Sequence, residues 1–128
     1  MLIDTGAART CMALDTAQEL GLDAIRFQDT RGAGGIHKNQ VFESFLTIEF
    51  EGKGIGEKAL IQGTMQVIGI PELGTYMDAQ RIRTDDPHPK RMIGLLGRDF
   101  LRHGLLTYNG VKGTIDLVLD LDSLAKVL

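Results

Sequence analysis

The sequence predicts a mostly β domain with two short helices, and three features of its length and composition lead to this prediction. The chain has 128 residues, which is the length of one domain. Glycine accounts for 16 of these residues, well above its usual share of roughly 7%, and this favours many turns. Aromatic residues make up only 5% and tryptophan is absent, so Leu, Ile and Val must build the core. Frequent turns and an aliphatic core suit strands better than a helical bundle.

The strands are predicted from alternating patterns that lie between glycine turns. Residues 42–50 alternate apolar and polar side chains, which is typical of a strand with one buried face. Residues 105–108 and 114–119 form a predicted hairpin, because Asn109-Gly110 between them is the strongest short turn signal. Further short segments predict a turn at residues 52–56 and strands at residues 58–61 and 65–68. Residues 92–97 are predicted to be an ordered apolar segment.

Two helices are predicted, each followed by a glycine. Asp15 is a suitable N-cap for the first, and Gln18 completes a capping-box pattern. Gly21 ends this helix where a left-handed residue is favoured. The second helix spans residues 98–103. Residues 78–91 are predicted to form an exposed loop, and residues 120–128 are left open as a strand extension or a terminal helical turn.

Charge and composition exclude several classes of function. The formal net charge is −3 and the isoelectric point is near 5.5, so no basic surface for nucleic acid or anionic lipid is expected. No apolar run approaches the roughly 20 residues of a membrane span. The lone cysteine excludes an intramolecular disulfide. No signal peptide is visible, so a cytoplasmic location is expected, although the short stretch before Asp4 predicts that an upstream segment is missing.

The strongest chemical candidate is the segment Asp4-Thr5-Gly6-Ala7, which follows two apolar residues. An Asp at the end of an apolar strand is held in place by the turn, and the glycine allows a substrate or another backbone to approach closely. The same residue types are also common in ordinary turns, and spacing alone favours that simpler interpretation.

Two motifs that occur in the same order as in a known family favour the catalytic interpretation over the ordinary turn. Leu2-Ile3-Asp4-Thr5-Gly6-Ala7 resembles the active-site signature of aspartic proteases, in which two apolar residues precede Asp-Thr/Ser-Gly-Ala/Ser. Leu95-Leu96-Gly97-Arg98-Asp99-Phe100-Leu101 resembles the later segment of the retropepsin branch, which includes the retroviral proteases and their cellular relatives. A glycine-rich stretch lies between these motifs, where that family has its flap.

The resemblance implies an acid-protease-like closed β-barrel, with one lobe per chain and residues 1–128 as a single retropepsin-like domain. Asp4 would then be the catalytic residue and would meet Asp4 of the partner subunit in a homodimer. The family cleaves peptide or protein substrates and uses no metal or cofactor. The other residues implied for the site are Thr5, Gly6 and Ala7 as support for the aspartate loop, Gly32, Ala33, Gly34, Gly35 and Ile36 as the flap, and Leu95, Leu96, Gly97 and Arg98 as the segment that packs behind the loop.

The chain departs from the family pattern in two ways. Ala8 and Arg9 stand where retroviral members have an acidic partner for the later arginine, so Arg98 must find another partner or face solvent. The family also has a strand and a hairpin before the catalytic Asp, and this chain has three residues there. An inactive module that uses the fold for dimerisation or peptide binding is therefore an alternative. A small β-barrel binding domain with a coincidental turn is a third.

The remaining candidates are weaker. His37, His88 and His103 are scattered without metal-ligand spacing, so surface or structural roles are expected. Cys11 has no nearby histidine in the sequence and is expected to be a small buried apolar residue rather than a reactive thiol. The glycine-rich stretch at residues 32–35 lacks the Lys-Ser/Thr of a phosphate-binding loop.

Overall fold

Most residues described by the computed structural model lie in strands. The structure describes residues 1–32, 34–51, 58–71, 73, 93–126 and 128. The strands are β1 (Leu2–Ile3), β2 (Cys11–Ala13), β3 (Ala24–Gly32), β4 (Gly35–Glu51), β5 (Lys58–Ile70), β6 (Gly94–Leu96), β7 (Gly104–Asn109) and β8 (Thr114–Leu119). The helices are α1 (Leu14–Glu19), α2 (Arg98–Leu101) and α3 (Leu121–Ala125).

Six strands form one sheet in the order β1-β6-β2-β5-β4-β3, and β7 and β8 form a separate hairpin. The β1–β6 and β2–β5 pairs are parallel, and the other pairs are antiparallel. The larger sheet curls into a half-barrel, so the predicted mostly β class is confirmed. The prediction of two helices is wrong, because the described residues contain three, with α3 following the hairpin.

The long β4–β5 pair carries the first hydrophobic core. Phe42 lies opposite Val67, and both are buried together with Met12 and Ala17. Along residues 42–50, the even-numbered side chains from 42 to 48 are buried or half-buried and the odd-numbered ones from 43 to 49 are exposed. The alternation predicted for this strand is therefore confirmed.

Strand β5 is continuous, whereas the sequence predicted two strands. Gly63 lies between the two predicted segments but pairs with Leu46 of β4 without interrupting the ladder. A Cβ at Gly63 would lie 2.4 Å from the Cβ of Leu128. The glycine therefore makes room for the C-terminal residue rather than ending a strand.

A second core joins the short helices to the hairpin. Phe100, Leu101 and Leu124 are buried there, and half-buried side chains from β4, β5 and β8 pack against them. Helix α3 resolves the open assignment of residues 120–128. Asp120 is its N-cap and accepts a hydrogen bond from the Ser123 backbone N–H at 3.0 Å.

The boundaries of α1 differ from prediction at one end only. Ala13, not Asp15, is the N-cap, because β2 runs directly into the helix. The Asp15 carboxylate instead accepts a hydrogen bond from the N–H of Thr16, within the first turn. Gly21 has φ of +67°, which confirms the predicted left-handed stop.

The predicted β7–β8 hairpin is present, with a longer loop than a two-residue turn. The last paired residues of the two strands are Asn109 and Thr114, so residues 110–113 form the loop. Within this loop, Gly113 adopts a positive φ of +64°. Asn109 closes the loop through its side chain, which accepts hydrogen bonds from two backbone N–H groups.

None of the helices in the described ranges is long and apolar enough to cross a membrane. The predicted turn at residues 52–56 and the predicted loop at residues 78–91 lie outside the described residues, as do Ala33 and His88.

Candidate active site

Asp4 lies in a tight turn immediately after β1. Its backbone N–H donates to the carbonyl of Leu96 at 3.0 Å, which extends the β1–β6 pairing by one residue. The Ala7 N–H closes the turn by donating to the Asp4 carbonyl at 3.2 Å. Carboxylate oxygen Oδ1 of Asp4 accepts from the N–H of Gly6 at 2.8 Å and from that of Ala7 at 3.3 Å. One carboxylate oxygen is therefore fixed by backbone donors.

Gly6 allows this arrangement because the carboxylate lies against its Cα. A Cβ at position 6 would be 3.1 Å from Oδ1 of Asp4, closer than most side chains tolerate. Asp4 itself is half-buried, and within the described residues its Oδ2 has no hydrogen bond. The turn therefore presents one oxygen of a rigidly held carboxylate for chemistry.

Arg98 supports the turn from the first position of α2. Its guanidinium Nη1 donates to the carbonyl of Thr5 at 2.9 Å and to that of Gly6 at 3.0 Å. Its backbone N–H donates to the carbonyl of Ala7 at 2.9 Å. Arg98 thus contacts three successive carbonyls of the aspartate turn. These backbone acceptors replace the acidic partner that the sequence lacks.

Hydrogen bonds between Asp99 and Thr10 form a second connection between α2 and the chain that leaves the aspartate turn. The Thr10 N–H donates to both carboxylate oxygens of Asp99, at 2.9 and 3.0 Å, and the Thr10 hydroxyl donates to Oδ1 at 2.7 Å. The same hydroxyl accepts from the N–H of Gly97 at 3.1 Å. Thr10 is fully buried, so this network is shielded from water. Sequence reasoning did not single out Thr10, because a threonine three residues beyond a turn is an unremarkable position.

Gly97 lies directly against the backbone that follows the turn. A Cβ at this position would be 2.4 Å from the carbonyl carbon of Arg9 and 2.8 Å from the nitrogen of Thr10. Leu95 and Leu96, just before it, pair with β1 in register with Leu2 and Ile3. The segment from β6 into α2 therefore lies immediately behind the aspartate turn.

A cavity of about 700 Å³ lies between the aspartate turn and the β3–β4 hairpin. Gly6 and Ala7 line it on one side, and Gly32 and Gly34 line it at the hairpin end. Gly35 begins β4 with φ of +107°, which favours glycine, and Ile36 follows as an exposed residue. The glycine-rich stretch and the aspartate turn thus share one cavity.

Cys11 also lines this cavity and is half-buried. Burial raises the pKa of its thiol from 9.0 to about 11, and the negative charges of Asp99 and Asp4 contribute in the same direction. The thiolate is the reactive form, so the thiol is held in an unreactive state at neutral pH.

Alkylation of Cys11 is expected to be slow in the folded protein. At pH 8, a shift of the pKa from 9.0 to about 11 lowers the thiolate fraction about a hundredfold, and the rate should rise with pH until the pH exceeds about 11. The measurement is iodoacetamide labelling followed by mass spectrometry, which reports one site because the chain has one cysteine. The same protein in guanidinium chloride is the control, and equal rates in the two states would contradict the raised pKa.

The described histidines lie apart from one another. His37 is exposed and lines the cavity, whereas His103 is buried with its Nδ1 2.7 Å from the Ser123 hydroxyl. Within the described ranges, no group of three or more His, Cys, Asp or Glu side chains is placed to hold a metal ion.

No protein-family model matches the chain, and the comparisons with curated proteins and with solved structures give no significant match.

Proposed function

We propose that the protein is an aspartic endopeptidase of the retropepsin type, in which Asp4 from each of two identical subunits forms the catalytic pair. The observation that carries this proposal is the Asp4 carboxylate, held by the N–H groups of Gly6 and Ala7 beside a cavity bordered by a glycine-rich hairpin. A general acid or base requires a fixed position and an accessible oxygen, and this carboxylate has both.

Two copies are needed because the reaction uses two carboxylates and the chain has one Asp-Thr-Gly segment. Two carboxyl groups in close contact do not both ionise readily, so the pair shares one proton. The ionised member takes a proton from a water molecule, whose oxygen attacks the carbonyl carbon of the peptide bond. The protonated member donates its proton to the carbonyl oxygen, which gives a tetrahedral diol. The carboxyl group that took the proton from water then gives it to the amide nitrogen as the C–N bond breaks, and the other carboxylate takes a proton back from the diol, which becomes the new carboxyl group. None of these steps requires a covalent intermediate with the protein.

The rest of the site supports these steps by fixing the turn. Arg98 holds the carbonyls of Thr5 and Gly6, and the hydrogen bonds between Thr10 and Asp99 fix the chain that leaves the turn. Thr5 is exposed and is proposed to contact the matching turn of the partner subunit. Residues 32–36 are proposed as the flap that covers a bound peptide, because glycine at positions 32, 34 and 35 permits both a tight turn and motion.

The proposal is tested by incubating the protein with a peptide library at acidic pH, with and without a pepstatin-like inhibitor. Cleavage that the inhibitor suppresses is the expected result, because such inhibitors imitate the tetrahedral intermediate. Peptide fragments are measured by mass spectrometry. Cleavage that is insensitive to the inhibitor, or that is suppressed by a metal chelator, would contradict the aspartic mechanism. Peptide binding without turnover would instead favour a binding module with the same fold.

A further inference from the structure

The hairpin wall of the cavity has two chemically different faces. Thr30 lies opposite His37 in the β3–β4 register, and Gln28 lies opposite Asn39. Asn39 is buried and its amide donates to the Thr30 hydroxyl at 2.5 Å. These side chains share the face on which Ile68, another lining residue, packs, because Ile68 pairs with Val41 two residues after Asn39. This inner face therefore faces the cavity.

The residues between them lie on the opposite face of the hairpin. Asp29 pairs with Lys38, and Arg31 pairs with Ile36. The Lys38 ammonium lies 5.5 Å from the centre of the Phe27 ring, which belongs to this outer face. Asp29, Arg31 and Lys38 nevertheless line the cavity as well, so this outer face contributes two cations and one carboxylate to the lining.

Two side chains of the inner face, His37 and Gln28, have N–H groups that make no hydrogen bond among the described residues. The His37 ring has no hydrogen bond within the described residues, and an imidazole has at least one N–H donor. The Gln28 side-chain carbonyl accepts from Arg26 Nη1 at 2.7 Å. The amide N–H groups of Gln28 therefore remain available to donate to a ligand. The Thr30 hydroxyl accepts from the Asn39 amide and donates to the backbone carbonyl of His37 at 3.3 Å, so it connects the two strands.

Arg9 adds a positive charge to the cavity lining. Its Nε lies 4.0 Å from Oδ2 of Asp99, at the limit of an ion pair. The Asp99 carboxylate already accepts three hydrogen bonds from Thr10 and one from the Phe100 N–H. Arg9, Arg31 and Lys38 outweigh Asp29 in the lining, so the cavity is locally cationic although the whole chain carries a net charge of −3.

We propose that this inner face determines specificity by favouring peptides that carry a carboxylate side chain beside the scissile bond. The inference rests on the proposed function, since it takes the cavity as the place where the peptide binds. A Glu side chain supplies acceptors for the His37 and Gln28 N–H groups and an opposite charge for Arg9. A Lys side chain supplies no acceptor and is repelled by Arg9. His37 and Gln28 are specificity-determining residues in this arrangement.

The test uses three peptides that differ only in a Glu, Gln or Lys next to the scissile bond. Each is made in a cleavable form and in a form with a reduced, non-hydrolysable bond. Kd is measured by fluorescence anisotropy for the second form and kcat/KM for the first. We expect the wild-type protein to bind the Glu peptide about tenfold more tightly than the Lys peptide, with the Gln peptide between them.

Point variants assign the preference to the cavity. His37→Leu is expected to lower the ratio of the Glu and Lys affinities by about threefold, because one of the two N–H donors is lost while Gln28 and Arg9 remain. His37→Gln, which keeps an N–H donor, should retain most of the ratio. Lys112→Leu removes a full positive charge from an exposed position outside the cavity and should leave the ratio unchanged. Circular dichroism checks that each variant folds.

The outcomes separate this inference from the proposed function. Tighter binding of the Glu peptide without cleavage supports the binding preference and refutes the protease. Cleavage with equal affinity for the three peptides supports the protease and overturns the preference. Loss of the preference in Lys112→Leu overturns its assignment to the cavity, and absence of binding by all three peptides overturns the inference as a whole.

Discussion

Replacing Asp4 with asparagine is expected to abolish peptide cleavage while the protein stays folded. An amide can neither take a proton from water nor share one with the other subunit, so kcat should fall by at least about a thousandfold. The fold should persist because the side-chain carbonyl of Asn can still accept from the N–H groups of Gly6 and Ala7. The measurements are kcat at acidic pH and the thermal melting temperature.

Two controls make this result specific. Asp23→Asn makes the same chemical change at an exposed position outside the cavity and should retain full activity. Adding excess Asp4→Asn protein to the wild type should lower the activity of the wild type, because a mixed dimer has only one catalytic carboxyl group. Wild-type activity that stays constant in this mixture would contradict a site shared between two subunits.

Replacing Gly97 with alanine is expected to lower the free energy of unfolding by more than about 3 kcal/mol. Gly97 has φ of −91° and ψ of −179°, a conformation that alanine adopts readily, so the effect is steric. The new Cβ would lie 2.4 and 2.5 Å from the carbonyl carbon and oxygen of Arg9, and backbone cannot move aside as a flexible side chain can. Urea denaturation followed by circular dichroism measures the change.

Gly32→Ala is the matched control for this prediction. No atom lies within 4 Å of a Cβ built at Gly32, so the free energy of unfolding should change by less than about 1 kcal/mol. A similar loss of stability in the two variants would show that the close approach of Gly97 to Arg9 is not the cause. Activity in the Gly97→Ala protein should fall together with stability, because the same contact positions the residues after the aspartate turn.

The parts of the fold that follow from local pattern were predictable from the sequence. Alternation over residues 42–50 identified the central strand, and Gly21 identified the end of α1. The predictions of strand and helix boundaries were wrong where tertiary contacts override the local sequence pattern. Gly63 lies between the two predicted strands, but it pairs with Leu46 within β5 and leaves room for Leu128, a contact that the local sequence does not indicate. Ala13 is the N-cap of α1 because β2 leads straight into the helix.

The aspartate turn was a candidate because of the family signature that it resembles, since its residue types are common in turns, whereas the hydrogen-bond partners that support it were not predictable. Arg98 binds backbone carbonyls, and every residue has one, so no side-chain pattern identifies the partner. The bonds between Thr10 and Asp99 connect residues far apart in the sequence. The faces of the β3–β4 hairpin likewise depend on its register, which a glycine-rich sequence leaves poorly specified.

The hydrogen bonds between Thr10 and Asp99 span 89 positions of the chain, and those from Arg98 to Thr5 span 93. Closing such a long loop costs considerable chain entropy, so contacts of this kind form only when most of the structure is already in place. The turn that holds Asp4 therefore cannot reach its final shape during early, local folding. In a partly folded chain the Asp4 turn lacks these long-range supports, so on the proposed function peptide cleavage would begin only after the chain has folded.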